Sequence, residues 1–218
     1  MPDERRGHRA RVGPRRRASR TSGPRAKYRC GGTVNWRAYI ASISGPRRNI
    51  ELKARNTDPV VSLANCRALG AVDHGVLNQR DTYFHVPAGR LKLREQTGDI
   101  PHLIAYARAD QTQQRESRYR IVEVPDALGL KAALSVSLGV KIVVTKSRHL
   151  LLWKSVRIHI DEVEGLGNFL ELEAVAPMDS DLDQERELIQ RLRLDLDIDD
   201  GDLIATSYSD LLLASDPT

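Results

Sequence analysis

From Arg48 onward the chain alternates polar and apolar residues segment after segment, and a period of two calls for strands rather than helices. In NIELKAR, one face carries Asn49, Glu51, Lys53 and Arg55 and the other Ile50, Leu52 and Ala54. GRLKLRE sets Arg90, Lys92 and Arg94 against Leu91 and Leu93, LIAYARAD groups Tyr106, Arg108 and Asp110, and SRYR groups Arg118 with Arg120. VTKSR spaces Lys146 and Arg148 alike, VRIHIDE aligns Arg157, His159 and Asp161, and NFLELEAV aligns Phe169, Glu171 and Glu173. With RDTYFHV, the pattern predicts about eight strands, joined mostly by short loops that suit antiparallel neighbours. Three segments break the rhythm with apolar positions three and four apart and are expected to be helices: Asp58 to Leu69, Asp126 to Leu138, and Ser180 to Leu194.

The net charge of +5 misleads unless it is divided along the chain. Residues 1–48 hold 13 Arg and 1 Lys against Asp3 and Glu4, a balance of +12, while the remainder has 20 basic and 27 acidic side chains, a balance of −7. Residues 1–48 are rich in Arg, Gly, Pro and Ser with no apolar period, so a disordered, dispensable extension is expected there and a folded domain over 49–214. The extension has little aromatic interleaving to stack bases, and no nucleic-acid partner is expected from it. No apolar run approaches the roughly 18 residues that span a bilayer, so no membrane partner is expected either. Cys30 and Cys66 are the only cysteines, which argues against a disulfide framework and for a reducing cytoplasm.

An ordinary sheet with one wet face would explain any single strand. The set as a whole points elsewhere, because the polar faces sort Arg and Lys into some strands and paired carboxylates into others. The fold class expected is α+β: a closed or nearly closed antiparallel eight-stranded barrel with polar faces inward and helices packed outside, enclosing one small ligand. A tunnel lined by Arg90, Lys92, Arg94, Arg108, Arg118, Arg120, Lys146 and Arg148 repels itself unless filled, and a chain of phosphates is the natural filling. Glu51, Asp161, Glu171 and Glu173 would repel that anion unless they held Mg2+ or Mn2+, hard cations that also bind phosphate.

The same residues resemble the CYTH family, the triphosphate tunnel metalloenzymes that include class IV adenylate cyclases and thiamine triphosphatases. The family's opening Glu-x-Glu-x-Lys reads here Asn49, Ile50, Glu51, Leu52, Lys53, and DTYF, GRLKLRE, IDEVEGLGNFLELE and SYSDLL follow in family order. The resemblance implies an eight-stranded tunnel, metal-dependent chemistry on a triphosphate, and metal binding by Glu51, Asp161, Glu171 and Glu173. It also implies phosphate binding by Lys53, Arg90, Arg94, Arg108 and Lys146; Arg55, Lys92, Arg118, Arg120 and Arg148 join that set by their faces, and Lys53, Arg94 and Lys146 are the candidate catalytic cations. Asn49 departs from the family pattern, keeping an oxygen donor but losing a charge, so a second ion should be held more weakly. His159 reads as a structural histidine or a general acid or base, and Tyr208 as a group closing one tunnel mouth.

The long form of the resemblance leans toward an adenylate cyclase that converts ATP to cyclic AMP and pyrophosphate. A hydrolase of thiamine triphosphate or inorganic tripolyphosphate is the alternative, and a noncatalytic binder of polyphosphate or nucleotide is a third reading. A triphosphate-containing small molecule is the partner implied, and a homodimer is compatible with all three.

Overall fold

The computed structural model describes residues 47–215. The expected extension over 1–48 lies outside the described residues, apart from Arg47 and Arg48, which begin the first strand. The strands are β1 (Arg47–Arg55), β2 (Val72–Phe84), β3 (Arg90–Gln96), β4 (His102–Arg108), β5 (Arg115–Glu123), β6 (Val140–Trp153), β7 (Val156–Val163) and β8 (Gly167–Ala176). They close into an antiparallel barrel in the order β1-β5-β4-β3-β2-β6-β7-β8, with β8 pairing back onto β1. Exchanging β1 to β4 with β5 to β8 leaves this ring unchanged, so two strand, helix and strand halves build it. Closure removes every sheet edge.

The helices are α1 (Pro59–Ala68), α2 (Ala127–Leu138), α3 (Asp183–Asp195) and α4 (Tyr208–Ser215). Short polar side chains start the first two. Asp58 accepts hydrogen bonds from the Val60 and Val61 amides at 3.1 and 3.0 Å, with Pro59 in the first turn, and Asp126 accepts one from the Gly129 amide at 2.9 Å. The segment expected to be helical from Ser180 begins at Asp183, because Ser180 and Asp181 are spent on the turn before it, accepting from the Leu182 and Asp183 amides. The expectation of three helices omitted α4. Its eight residues are too few to show a period, but Ser207 and Asp210 form a Ser-x-x-Asp capping pattern, with the Asp210 amide donating to Ser207 Oγ at 3.2 Å.

The outward faces carry the apolar residues, as expected. Ile50, Leu52 and Ala54 of β1 join Ile158, Ile160, Leu170 and Leu172 under α1 and α3, where Ile189 and Leu192 are fully buried. Each such side chain contributes roughly 1.5–3 kcal/mol by leaving water. On the opposite side Leu130, Leu134 and Leu138 of α2 pack onto Phe84, Leu93 and Val124. β1 is therefore buried on both faces. Glu51 is 6% and Lys53 3% exposed, whereas a wet-faced open sheet would leave both in solvent.

Register corrects one strand. Asn49 pairs with Ser117 and Glu51 with Arg115, so Arg115, Ser117, Tyr119 and Ile121 face inward on β5. Arg118 and Arg120 are exposed, and Arg118 is spent on Glu116 at 2.7 Å outside the barrel. A shift of one residue flips a whole strand, and β5 carries polar atoms on both phases, so its alternation alone does not choose.

Candidate active site

Side chains from seven of the eight strands, all but β7, and from the start of α4 line a hollow of about 120 Å3, among them Asn49, Glu51, Lys53, Lys92, Arg94, Tyr106, Arg108, Lys146, Arg148, Glu171 and Glu173. Pairing places them as a continuous ring. Lys53 lies opposite Glu171, Glu171 opposite His159, Asp161 opposite Arg148, and Arg94 opposite Asp81.

Most carboxylates here already hold a cation. Asp81, fully buried, accepts two bonds from Arg94 at 2.7 Å and one from Lys92 at 2.9 Å. Asp161 accepts two from Arg148 at 2.7 and 2.6 Å and one from the Tyr208 hydroxyl at 2.9 Å. Burial alone would raise the Asp161 carboxyl, but Arg148 and Lys146 beside it hold it at about 2. Glu51 takes Arg115 Nε at 2.8 Å and also Arg108, while Glu171 takes Arg148 Nη2 at 2.7 Å and Lys53 Nζ at 3.5 Å. Glu173 has the looser partner Arg157 at 3.6 Å.

The balance does not close. Among the residues that line the hollow and their ion-pair partners, Lys53, Lys92, Arg94, Arg108, Arg115, Lys146, Arg148 and Arg157 meet five carboxylates, Glu51, Asp81, Asp161, Glu171 and Glu173, leaving basic side chains three in excess. Arg108 Nε, Arg115 Nη2 and Arg157 Nη2 are buried with no hydrogen-bond partner. Lys146 reaches Asp81 and Asp161 only at 3.8 and 3.9 Å, and burial first, then the Arg148 charge, pushes its ammonium well below the ordinary lysine value. Burial likewise lowers Lys53, whose ammonium lies 3.6 Å from the centre of the Tyr208 ring. Buried donors and surplus positive charge of this kind are costly unless an anion meets them.

The structure thus brings together Glu51, Lys53, Lys92, Arg94, Arg108, Lys146, Arg148, Asp161, Glu171 and Glu173 from the sequence-based set. It leaves four others apart. Arg118 and Arg120 face outward; Arg55 lies at the rim, stacked 4.6 Å from the Phe169 ring and donating to the Leu166 carbonyl. Arg90 stands at the mouth, bound to Asp110 at 2.7 Å and to Asp210 of α4 at 2.8 Å. Tyr208 does enter the barrel from α4, as expected of a group closing one mouth. Asp81 and Arg115 are functional residues that the sequence-based set lacks; Asp81 shares the phase of Gln79 and Tyr83, which the alternation of RDTYFHV does not single out.

The four expected metal ligands separate as well. Glu171, Glu173 and His159 bring one ligand atom each within 4.8 Å of one another; Asp161 and Glu51 lie outside this group and accept guanidinium bonds, as Glu171 also does from Arg148. His159 Nδ1 is buried without a hydrogen-bond partner, 3.7 Å from Glu171 and 3.8 Å from Glu173. Burial, reinforced by Arg148, lowers its pKa against the opposing pull of Glu173 and Glu171. This corner fits a divalent cation. Asn49 Oδ1 is another buried oxygen without a partner on the same wall.

A closed antiparallel barrel around a charged tunnel is the class that these features define. Residues 47–208 match the CYTH domain, and the chain belongs to that family. No curated protein sequence matches the chain. Among solved structures, the PH1012 protein of Pyrococcus horikoshii is similar at 23% identity and a TM-score of 0.68, over 75% of this chain and 98% of that one. A candidate adenylate cyclase of Vibrio parahaemolyticus is 18% identical with a TM-score of 0.64, over 76% of this chain and 97% of that one. A candidate adenylyl cyclase of Hippeastrum with a dominant triphosphatase activity is 12% identical with a TM-score of 0.55, over 79% and 97%.

Proposed function

We propose that the protein is a metal-dependent enzyme acting on a nucleoside triphosphate or another triphosphate inside the tunnel, with conversion of ATP to cyclic AMP and pyrophosphate as the first reading. The carrying observation is the excess of three basic side chains, with a buried guanidinium N–H of Arg108 unmet at the wall of the hollow. A triphosphate supplies the missing charge and the acceptors at once.

Lys53, Arg94, Arg108, Lys146 and Arg148 are the groups that would hold phosphate oxygens. Arg148 is preorganised, because the two bonds it donates to Asp161 fix its plane and the Tyr208 hydroxyl, donating to Asp161, fixes that carboxylate in turn. Asp81 orients Arg94 and Lys92 in the same way from the facing strand. Lys146 and Lys53, the least satisfied cations, are placed to neutralise charge gathering on a departing pyrophosphate. A divalent ion held by Glu171, Glu173 and His159 would supply Lewis acidity that lowers the pKa of the attacking hydroxyl. Ile104, Tyr106, Tyr119 and Ile121 make one uncharged wall of the hollow, suited to an organic group rather than to phosphate.

Hydrolysis of thiamine triphosphate or tripolyphosphate is the second reading. The size of the hollow favours its tripolyphosphate branch, since about 120 Å3 is well under the roughly 300 Å3 at which small-molecule pockets begin, and a bare phosphate chain fits more readily than a nucleotide or thiamine triphosphate. Incubation of the purified protein with ATP, thiamine triphosphate and tripolyphosphate, with and without manganese, separates the two. Cyclic AMP with pyrophosphate supports the cyclase; orthophosphate from tripolyphosphate, with ATP untouched, establishes the hydrolase instead.

A further inference from the structure

We infer that His159 is a nitrogen ligand of the tunnel's metal site, which therefore selects a transition ion such as manganese or cobalt over magnesium. The inference rests on the reading that Glu171 and Glu173 hold a divalent ion, and it concerns which ion they hold.

A histidine buried in a strand ordinarily satisfies its ring nitrogens with hydrogen bonds. His159 is 4% exposed, yet its Nδ1 has no partner. The atom points between two carboxylates at 3.7 and 3.8 Å, too far for a hydrogen bond. Donors about 2.1 Å from a common ion stand roughly 3 to 4.3 Å apart, so these spacings suit shared coordination. The pairing of β7 with β8 enforces the grouping, because His159 lies directly opposite Glu171, and Glu173 is two residues along the same face. If Glu171 turns to an ion, Arg148 keeps its two bonds to Asp161 and only the longer contact of Lys53 at 3.5 Å loses its partner.

The donor type then decides the metal. Magnesium demands oxygen ligands in near-octahedral geometry and keeps its waters, whereas an imidazole nitrogen raises affinity along the transition series. Two carboxylates and one imidazole form a mixed set that magnesium fills poorly. A binding preference for manganese over magnesium of at least about tenfold is expected.

The test uses the full chain stripped of metal, with no substrate. Calorimetric titrations with manganese and with magnesium give the affinity ratio, and pulsed electron paramagnetic resonance of the manganese-loaded protein reports any directly bound 14N. The expected result is a 14N coupling in the wild-type protein that is lost in His159→Gln, together with a fall of about tenfold or more in the manganese to magnesium ratio. His159→Asp, which restores an oxygen donor, should bring the two ions close to parity. The wild-type spectrum needs no variant to fold, so it decides by itself. Manganese that binds, depends on Glu171 by Glu171→Gln, and shows no 14N coupling overturns the inference while leaving the metal reading intact. No binding of either ion at millimolar concentration, with or without tripolyphosphate, overturns both.

Discussion

Replacing Asp161 by Asn should destabilise the protein strongly, and an added polyanion should restore much of the loss. The side chain is fully buried and accepts three bonds, two from Arg148 and one from Tyr208. The amide keeps one acceptor but loses the charge, so Glu171 is left as the only anion bound to Arg148 and the excess of basic side chains rises from three to four. Breaking a buried ion pair from one side costs about 3–5 kcal/mol. At about 2–4 °C per kcal/mol for a domain of this size, the melting temperature should fall by roughly 6–20 °C. Tripolyphosphate fixed at about a hundred times the wild-type dissociation constant returns roughly 2.7 kcal/mol to the wild-type protein by linkage, and at that same concentration the variant, with one more unpaired cation, should bind more tightly and gain more. Thermal unfolding followed by circular dichroism, with and without tripolyphosphate, reads both effects. A fall of less than 2 °C, or an equal gain in the two proteins, would refute the charge balance argued for the tunnel.

Lys146→Met should show the reverse signature, since its long ion pairs contribute little while its burial is costly: unchanged or raised melting temperature, but tripolyphosphate binding weakened by about tenfold or more in calorimetry. Arg118→Ala with Arg120→Ala should leave stability within about 0.5 kcal/mol and tripolyphosphate affinity unchanged, because both side chains face solvent; any loss of affinity contradicts the β5 register. Leu192→Ala, emptying the layer between α3 and the barrel, should cost about 2–5 kcal/mol in denaturant unfolding. Asp210, bound by Ser207, Arg90 and Lys141, has its carboxyl held at about 2, below the ordinary value of 3.8, so its stabilisation is complete above that value and disappears as pH falls toward 2. Solvent screening limits the effect to about 1 kcal/mol, and Asp210→Asn should flatten the acid limb of the melting temperature against pH by that amount.

The sequence shows the barrel where polar and apolar residues alternate without ambiguity. Glu51 and Lys53 against Ile50 and Leu52, or Arg90, Lys92 and Arg94 against Leu91 and Leu93, declare their inward faces because only one phase can be covered by helices. β5 is different: Arg118 and Arg120 are as polar as Arg115 and Ser117, and only pairing with β1 and β4 decides between them. Asp81 was hidden for a related reason, since RDTYFHV carries a charge or an aromatic ring on each phase. Charge sorting revealed that carboxylates and cations share the hollow, but not which binds which. That Asp161 and Glu51 hold arginines, while Glu171 and Glu173 meet a histidine, follows from strand register and side-chain reach, which composition does not encode. His159 was visible as an inward residue; its missing hydrogen bond was not.

A crystal structure of the protein grown with tripolyphosphate tests the account at its centre. Phosphate density inside the barrel, against Lys53, Arg94 and Lys146, is the predicted result. Density confined to the outer surface, with the hollow unfilled at saturating tripolyphosphate, would contradict it.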